Sequence, residues 1–578
     1  MPDRRKIPKC YRIRAGLLYA SVFIIFPALL YQLVRIQILD HRKYYTLALS
    51  QQFERLEIPT RRGLVFDRNG LKLAESIQVS SIFADPLLIE DKKETAKVIS
   101  DVLSLNTSNV VKLLNSKKRF VWIKRRVKDR HAEAIRRLKL QGIGLRNEYK
   151  RVYPYGELCC HVIGFTDVDE IGLEGVEHSL NQTLSGSKGY KVIEKDGRQR
   201  QISTLNEETI SAKYGDSIFL TIDYKIQSIV ENELENACLK WQPNSATAIV
   251  MDPFTGEILA MANRPSFDLN FVQDSKQHER RNRAITDCFE PGSIIKPLIV
   301  CGALDSGLVK EDETFFCYNG TYKVRRRVIR DIHPYDYLTV SEIVVNSSNI
   351  GMVQLGTLMG RKRLYNHLSN FSFGKKLGIE LPGEAKGIIR PLNRWSVDSI
   401  ASVAFGYEIA ATPLQLINAF CSIANGGTLL KPRIVYAIAD LAGKRVKKRY
   451  EVPERIQRVI SPKVAREVMS PMLENVVKEG TGRNAMLFEY RVAGKTGTAK
   501  KLQRIGNKMR YSDNKHIGSF VGYAPADNPK ICVLVTLNEP KNGDYYGGIV
   551  AAPVVRDIIK RVLHYMQVEP QYLRTVRR

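Results

Sequence analysis

Residues 290–296 read Glu-Pro-Gly-Ser-Ile-Ile-Lys and place a serine, Ser293, three positions before a lysine, Lys296. The Pro-Gly pair interrupts the preceding chain, so this stretch predicts a helix that begins at Ser293. Residues three apart on a helix share one face, which brings the Lys296 amine within reach of the Ser293 hydroxyl. A serine hydroxyl becomes an effective nucleophile when a neighbouring base takes its proton. The stretch therefore indicates a serine nucleophile with a lysine as its base.

The Ser-x-x-Lys spacing alone carries little information, because it also begins at Ser185, Ser372 and Ser512. Its weight comes from two further motifs that follow Ser293 along the chain. They are Ser347-Ser348-Asn349 and Lys495-Thr496-Gly497-Thr498. A second cation near Lys296, here Lys495, would lower the pKa of the Lys296 amine and let it act as a base. Glycines around Lys495 favour an edge strand that the backbone of a ligand can approach.

From residue 217 onward the sequence alternates between strand-like and helix-like patterns. Strands are predicted at 217–222, 247–251, 257–261, 520–523 and 531–537, and helices at 224–239 and 552–566. A further helix is predicted to begin at Pro413, with Thr412 as its cap and Gln415 completing a capping box. This pattern predicts one large domain of the α/β (α+β) class, residues 217–578.

Residues 39–216 have a different composition and a different pattern of predicted elements. Short helical patterns alternate with a β-rich piece at 120–123, and Gly and Tyr are frequent between 151 and 215. Asn69-Gly70 lies between two strand-like runs and predicts a hairpin with a type I′ turn, which needs positive φ at both central residues. We predict a second, mainly β domain over residues 39–216.

The N-terminus contains an uncharged run of twenty residues, 15–34, which is long enough to span a bilayer. Pro27 within the run is tolerated in a membrane helix. Six Lys and Arg residues lie in the fourteen positions before the run, and fewer follow it, so the N-terminus is predicted to be cytoplasmic. No small-x-small cleavage site follows. We predict a short cytoplasmic tail, residues 1–14, and an uncleaved membrane anchor, residues 15–38.

The net charge of +29 predicts an anionic neighbour such as a membrane surface or an acidic polymer. Fourteen Lys and Arg residues against three acids lie between Lys117 and Arg151, which fits either a solvated basic face or contact with lipid head groups or wall polymer. The sequence has no recognisable nucleic-acid module, so nucleic acid is not predicted as a partner. Neither a metal site nor a cofactor is predicted, and His161 and His516 are interpreted as structural.

The three ordered motifs resemble those of the penicillin-recognising serine acyltransferases, the penicillin-binding proteins and serine β-lactamases. The resemblance to class B penicillin-binding proteins covers roughly residues 55 to 560. It rests on residues 62–70, 161–165, 172–175, 248–262 and 494–500. Phe405-Gly406-Tyr407-Glu408 ahead of Thr412-Pro413 resembles the division-specific type more closely than the elongation-specific type, which remains the alternative. The resemblance implies a β-lactamase-like transpeptidase domain on an elongated pedestal domain.

The resemblance also implies residue roles. Ser293 forms an acyl-enzyme with a D-Ala-D-Ala stem peptide, D-alanine leaves, and a neighbouring stem amine completes the cross-link. Penicillin acylates the same serine. Ser347 relays a proton between the lysines and the leaving amine, and Asn349 binds the peptide. Thr496 and Thr498 bind the terminal carboxylate beside the positive charge of Lys495, which belongs to the catalytic set, and Gly497 completes the substrate-binding strand. The backbone N–H groups of Ser293 and Thr498 form an oxyanion hole.

The implied partners are a SEDS-family glycan polymerase and other membrane proteins of the division machinery, with the catalytic domain outside the inner membrane. A secreted β-lactamase is one alternative, but it would normally be a single domain with a cleaved signal. A β-lactam sensor, or a scaffold with an inert acyl domain, is another. The pedestal and the uncleaved anchor argue against the β-lactamase, the fourteen-residue cytoplasmic tail against a sensor, and the retained motif residues against an inert scaffold.

Overall fold

The computed structural model describes residues 9–195, 201–202, 209–324, 327–506 and 508–571. Within these ranges the chain forms two compact units. The first consists of Met1–Thr60 with Ser187–Lys213, and the second of Arg61–Gly186 with Tyr214–Arg578.

The elements before residue 217 are, in chain order, α1 (Lys9–Val34), α2 (His41–Gln52), β1 (Phe53–Ile58), β2 (Val65–Phe66), β3 (Lys72–Ala84), α3 (Lys92–Leu103), α4 (Thr107–Leu114), β4 (Val121–Val127), α5 (Asp129–Leu138), β5 (Ile143–Val152), α6 (Cys160–Ile163), α7 (Gly175–Ser179), α8 (Asn181–Ser185), β6 (Gly189–Lys195), β7 (Gln201–Ile202) and β8 (Thr209–Ile210).

Those that follow are β9 (Ser217–Leu220), α9 (Tyr224–Trp241), β10 (Ser245–Met251), β11 (Ile258–Arg264), α10 (Arg283–Thr286), α11 (Ile295–Asp305), β12 (Thr314–Phe316), β13 (Thr321–Val324), β14 (Arg327–Arg330), β15 (Tyr337–Thr339), α12 (Val340–Val345), α13 (Asn349–Asn370), β16 (Ile388–Ile389), α14 (Val397–Ala404), β17 (Ile409–Ala410), α15 (Pro413–Ala424), β18 (Thr428–Leu430), β19 (Val435–Ala439), β20 (Val446–Arg449), β21 (Arg455–Arg458), α16 (Ser470–Lys478), β22 (Ala493–Ile505), β23 (Lys508–Ala524), β24 (Ile531–Asn538), α17 (Gly547–Val550) and α18 (Ala552–Tyr565).

The first unit combines the N-terminal helix with a small sheet. Helix α1 continues through a π-helical turn to Leu39, and its side chains are exposed. Among the described residues, this is the one helix long and apolar enough to cross a bilayer. It contains the whole of the predicted span. Strand β6 pairs antiparallel with β1, and β7 and β8 also pair with β6.

The second unit begins with a sheet centred on β3, which pairs with β2, β4 and β5. Helices α3, α4 and α5 contribute apolar side chains to a core with this sheet. The hairpin predicted at Asn69-Gly70 forms between β2 and β3, but the predicted type I′ turn is wrong. Gly70 has a φ of +87°, whereas Asn69 is not among the described residues with positive φ. Instead, the Asp67 carboxylate accepts hydrogen bonds from the backbone N–H groups of Asn69 and Leu71 and organises the loop.

This sheet continues across residue 217. Strand β2 pairs in parallel with β9, and β9 pairs antiparallel with β19, which pairs with β20. Beside it lies a buried charge cluster in which Glu177 accepts hydrogen bonds of 2.6 Å from both Arg62 and Arg151. All three side chains are at most 1% exposed. A buried ion cluster persists only when its charges are mutually satisfied, and this one ties residues 62, 151 and 177 together.

After residue 217 the second unit is built on a five-stranded antiparallel sheet in the order β11-β10-β24-β23-β22. Helices α9 and α18 cover one face, and α11 and α15 contribute to the core on the other. Along β24, Val533 and Val535 pack in the core with α9 and α18, and Cys532 and Leu534 pack in the core with α11 and α15. Successive side chains of a strand point to opposite faces, which explains this alternation. Because both faces are covered, the strand is apolar almost throughout.

The α/β fold predicted for this region is confirmed, and most predicted elements fall within a few residues of their observed bounds. Helix α15 begins at Pro413, as predicted. Thr412 Oγ1 accepts a hydrogen bond from the Gln415 backbone, and the Gln415 side chain accepts one from the Thr412 backbone. This reciprocal capping box was predicted from local sequence, and it forms as expected.

Candidate active site

Ser293 lies in a turn of 3-10 helix, residues 292–294, that leads directly into α11. The helix predicted to begin at Ser293 is therefore confirmed in position, with a tighter first turn. Gly292 has a φ of +54°, and its N–H donates a hydrogen bond to the carbonyl of Gly406. A Cβ on Gly406 would lie 2.0 Å from the Gly292 oxygen. The loop that contains Gly406 thus fixes the backbone of the serine turn from one side.

Strand β22 fixes the same turn from the other side. A Cβ on Gly497 would lie 2.8 Å from the side chain of Ile294 and 2.5 Å from the hydroxyl of Ser519. A Cβ on Gly292 would lie 3.0 Å from the carbonyl of Thr498. Glycine at these positions allows close backbone approach. The first and third motifs are therefore in direct contact, and Ile294 fills the space over Gly497.

Lys296 connects the first motif to the second. Its side chain is fully buried, and its amine donates hydrogen bonds to the Ser347 carbonyl at 2.6 Å, the Asn349 side chain at 2.8 Å and the Ser347 hydroxyl at 3.3 Å. Ser347 has a φ of +58°, a costly conformation for a serine. That conformation lets Ser347 present both its carbonyl and its hydroxyl to the lysine.

Both motif lysines are buried, and burial disfavours their charged forms. Burial lowers the pKa of Lys296 to about 7, partly opposed by the negative charge of Asp331. Burial, and then the nearby charge of Lys296, hold the pKa of Lys495 well below its usual range. The sequence predicted that the charge of Lys495 lowers the pKa of Lys296, and this cause is wrong. Burial lowers the pKa of Lys296, whereas repulsion between the two lysines contributes to the lowered pKa of Lys495. At neutral pH a large share of Lys296 is in the neutral form that a base requires.

Asp331 is a functional residue that the sequence analysis missed. Its carboxylate accepts hydrogen bonds from the Ser348 hydroxyl at 2.6 Å and from the N–H groups of Asn349 and Ile350. It thereby caps α13 and holds the second motif in place. A single aspartate upstream of the motif carries no pattern in the sequence that would have identified it.

Replacing Asp331 with asparagine should lower the pH at which acylation reaches half of its plateau rate. The Asp331 charge raises the pKa of Lys296, so its removal favours the neutral amine at lower pH. Loss of the negative charge at the N-terminus of α13 should also destabilise the protein by about 0.3–1 kcal/mol. The measurement is the pH profile of the acylation rate with a chromogenic β-lactam. An unchanged midpoint would show that Asp331 has a purely structural role.

The three motifs border a cavity of about 680 Å³. The predicted site residues that line it are Ser293, Ser347, Asn349, Thr496 and Thr498. Lys296 and Lys495 lie fully buried behind this surface, and the Lys495 amine donates to Thr496 Oγ1 at 3.3 Å. Thr498 Oγ1 accepts a hydrogen bond from the N–H of Gly547 at 3.1 Å, so its own proton can be donated to a ligand.

Strand β14 and several aromatic side chains complete the cavity wall, which the sequence analysis did not foresee. The lining includes Arg327, Arg330, Tyr407, Tyr511, His516, Tyr545 and Tyr546. His516, interpreted as structural, stacks on Tyr545 with ring centroids 3.8 Å apart. His161, also interpreted as structural, lies elsewhere, and burial lowers its pKa to about 4. It hydrogen-bonds to the carbonyl of Glu279 at 2.7 Å.

Glu290 links this wall to the serine turn. Its Oε1 accepts hydrogen bonds from the Tyr511 hydroxyl at 3.0 Å and from the N–H of Glu408 at 2.8 Å. Burial raises the pKa of the Glu290 carboxyl to about 7. Its contacts join β23, the loop around Gly406 and the serine turn, and Ser293 lines the cavity beside them.

Comparison with known proteins agrees with this geometry. The family profile described as "Penicillin binding protein transpeptidase domain" matches residues 246–560, and "Penicillin-binding Protein dimerisation domain" matches residues 57–220. Peptidoglycan D,D-transpeptidase FtsI of Escherichia coli (strain K12) is 36% identical over 527 residues, covering 90% of this chain and 86% of that protein.

Two further similarities extend the comparison. Stage V sporulation protein D of Bacillus subtilis (strain 168) is 34% identical, covering 97% of this chain and 87% of that protein. The crystal structure of a peptidoglycan synthetase from Bifidobacterium adolescentis has a TM-score of 0.72 and 28% identity, covering 90% of this chain and 98% of that one. With a transpeptidase match over more than half of its length and a dimerisation domain before it, the chain belongs to the class B penicillin-binding proteins, the serine transpeptidases that bind β-lactams.

Proposed function

We propose that the chain is a peptidoglycan D,D-transpeptidase that acts through an acyl-enzyme on Ser293. The observation that carries this proposal is the buried amine of Lys296, with a pKa near 7, bonded to Ser347 and Asn349 behind a cavity that Ser293 lines. Release of D-alanine from a stem peptide ending in D-Ala-D-Ala, blocked by prior treatment with penicillin, tests the activity.

In the proposed reaction, Ser293 Oγ attacks the carbonyl of the penultimate D-alanine and gives its proton to neutral Lys296. The tetrahedral intermediate then collapses, the C–N bond breaks, and the amine of the departing D-alanine receives a proton through the Ser347 hydroxyl. An amine from a second stem peptide then attacks the acyl carbonyl, the ester bond to Ser293 Oγ breaks, and the proton that the amine loses is returned to Ser293 Oγ. The N–H groups of Ser293 and Thr498 would stabilise the oxyanion at both stages.

The substrate carboxylate is proposed to bind at Thr496, Gly497 and Thr498. Strand β22 is the terminal strand of its sheet, and an extended peptide can align along such an edge. Burial, and then the charge of Lys296, hold the pKa of Lys495 well below its usual range. A bound carboxylate would restore the charge of Lys495 and leave Lys296 neutral for catalysis.

We propose that the enzyme serves septal synthesis in cell division. The proposal rests on the relatives named FtsI and on the resemblance of residues 405–408 to the division-specific type. Depletion should therefore block septum formation while cell width stays constant. Cell morphology and septal labelling during depletion provide the measurement. Rounded, widened cells that still form septa would favour the elongation-specific alternative.

We further propose that the N-terminus is cytoplasmic and the catalytic domain extracytoplasmic. The support is the cluster of basic residues before the uncharged run 15–34 and the apolar composition of that run. A reporter that is active only in the cytoplasm, fused after Arg578, should be silent. A cytoplasmic signal from that fusion would reverse the proposed orientation.

The boundaries proposed for the chain are 1–14, 15–38, 39–216 and 217–578, and the matches at 57–220 and 246–560 support the last two. A SEDS-family glycan polymerase and other division proteins are proposed as membrane partners, on the strength of the resemblance to division-specific members. Copurification of such a polymerase with the full chain, lost when residues 1–38 are exchanged for another anchor, tests this partnership.

A further inference from the structure

A second cavity, of about 480 Å³, lies outside the catalytic cleft and shares no lining residue with it. Its wall is formed by the segment 277–286, by residues 161, 174 and 175 from the N-terminal part of the unit, and by Leu381 and Pro382. It is large enough for a small ligand, and the proposed transpeptidation does not use it.

The lining of this cavity is strongly cationic. Among the described residues that line it, three are arginines, Arg280, Arg281 and Arg283, and a single one, Glu174, is acidic. Burial raises the pKa of the Glu174 carboxyl, and the charge of Arg280 opposes that rise. His161 also lines the cavity, but its lowered pKa keeps it neutral at physiological pH.

Arg280 presents an unsatisfied donor. Its Nε is buried, and no described residue accepts a hydrogen bond from it. The guanidinium carbon lies 5.8 Å from the ring centroid of Phe165, a contact that helps to hold the group in place. A buried donor without an acceptor costs free energy comparable to a lost hydrogen bond, and Arg280 also lines the cavity.

The other two arginines share one carboxylate. Arg281 lies 2.6 Å from an oxygen of Asp287, and Arg283 lies 3.9 Å from the other. The Arg283 side chain is only 11% exposed, and burial, with the charge of Arg281, lowers its pKa despite the attraction of Asp287. Arg283 also donates to the carbonyls of Arg281 and His278, and Arg281 donates to the Thr286 hydroxyl, so these two groups keep only part of their donors for a ligand.

We propose that this pocket binds a phosphate ester or diphosphate through Arg280, Arg281 and Arg283. Planar guanidinium groups pair in bidentate fashion with oxyanions, and arginine is favoured where phosphate is recognised. Some donors of Arg281 and Arg283 are already used within the protein, and the oxygens of a phosphate or diphosphate can accept those that remain on the three groups. The cavity also exceeds the volume of a phosphate ion, leaving room for an attached group.

The test is isothermal titration of the purified full-length protein in neutral detergent at low salt, with sodium pyrophosphate as the probe. Pyrophosphate should bind, and its affinity should fall as salt rises. Arg280→Ala should weaken binding about tenfold or more, the loss expected when one charge-assisted pair is removed. Arg361→Ala, which removes an exposed arginine on α13 outside the cavity, is the matched control and should leave the affinity unchanged.

Labelling by fluorescent penicillin at the wild-type rate checks that the Arg280 variant is folded, and it reports on the transpeptidase site separately. If that variant does not fold, Arg281→Ala, whose side chain is 53% exposed, replaces it and should also weaken binding. Farnesyl diphosphate is the second probe. If it binds about tenfold more tightly than pyrophosphate, the natural ligand is a lipid-linked diphosphate; if the two affinities are equal, it is a free or polymeric phosphate. Succinate, a dicarboxylate, tests whether the site prefers phosphate. The proposal is overturned if pyrophosphate does not bind, if succinate binds equally well, or if both arginine variants keep the wild-type affinity.

Discussion

Replacing Ser293 with alanine is expected to abolish covalent labelling by a fluorescent penicillin while the protein stays folded and membrane-bound. The substitution removes one oxygen from a half-buried side chain, so the serine turn keeps its contacts with Gly406 and with β22. No acyl-enzyme can form without the hydroxyl, because the other groups around the cavity position or deprotonate the nucleophile rather than replace it. Gel fluorescence together with a thermal-melting curve measures both outcomes.

The three other Ser-x-x-Lys serines provide matched controls. Ser512 lies in β23, where residues three apart point to opposite faces, and its hydroxyl accepts hydrogen bonds from the N–H groups of Asn514 and Lys515. Ser372 has a φ of +63° and follows α13, and Ser185 ends the short helix α8. Of the four serines, all in the described part of the chain, Ser293 alone lines the catalytic cavity.

Alanine substitutions at Ser185, Ser372 and Ser512 should therefore leave labelling nearly intact. Mass spectrometry of the penicillin-modified peptide provides an independent measurement. A penicillin adduct on any serine other than Ser293 would exclude the proposed nucleophile.

The local parts of the site could be predicted from sequence because their causes are local. Pro291 and Gly292 end one element and start the next, and Thr412, Pro413 and Gln415 carry the whole capping signal of α15 in four residues. The sheet strands could be placed for the same reason, since their apolar runs are bounded by turn residues.

The remaining features depend on contacts between distant segments. Asp331 caps α13 through hydrogen bonds that span seventeen to nineteen positions, and Glu290 reaches Tyr511 across 221 positions. The positive φ of Ser347 has no local signature, because serine is not a residue that favours it. Such features arise only when the fold brings the segments together.

The cause of the Lys296 pKa shift illustrates the same limit. A neighbouring cation can be inferred from the order of motifs, and Lys495 is indeed buried beside the site. Complete burial of the Lys296 side chain, which dominates its lowered pKa, depends on side chains from α11, α12 and α13 that pack in a single core. Desolvation is a property of the finished packing, and no motif encodes it.

Replacing Lys296 with alanine should slow acylation by penicillin by about 10²–10⁴-fold, the usual value of general-base assistance. The wild-type profile should also show the titration of this amine. The pKa of Lys296 is lowered to about 7, so the ammonium form predominates below that pH and cannot accept the serine proton. The acylation rate should therefore rise with pH through about 7 and level off above it.

The measurement is the second-order acylation rate with a chromogenic β-lactam between about pH 5.5 and 9, for wild type and for Lys296→Ala. Lys515→Ala, which removes the half-exposed lysine of the Ser512 motif, is the control and should retain both the rate and the profile. The Lys296 variant should lose the rise near pH 7 as well as the rate, because the titrating base is gone. A wild-type rate that stays constant across this range, or a Lys296 variant that keeps the same inflection, would assign the base to another residue.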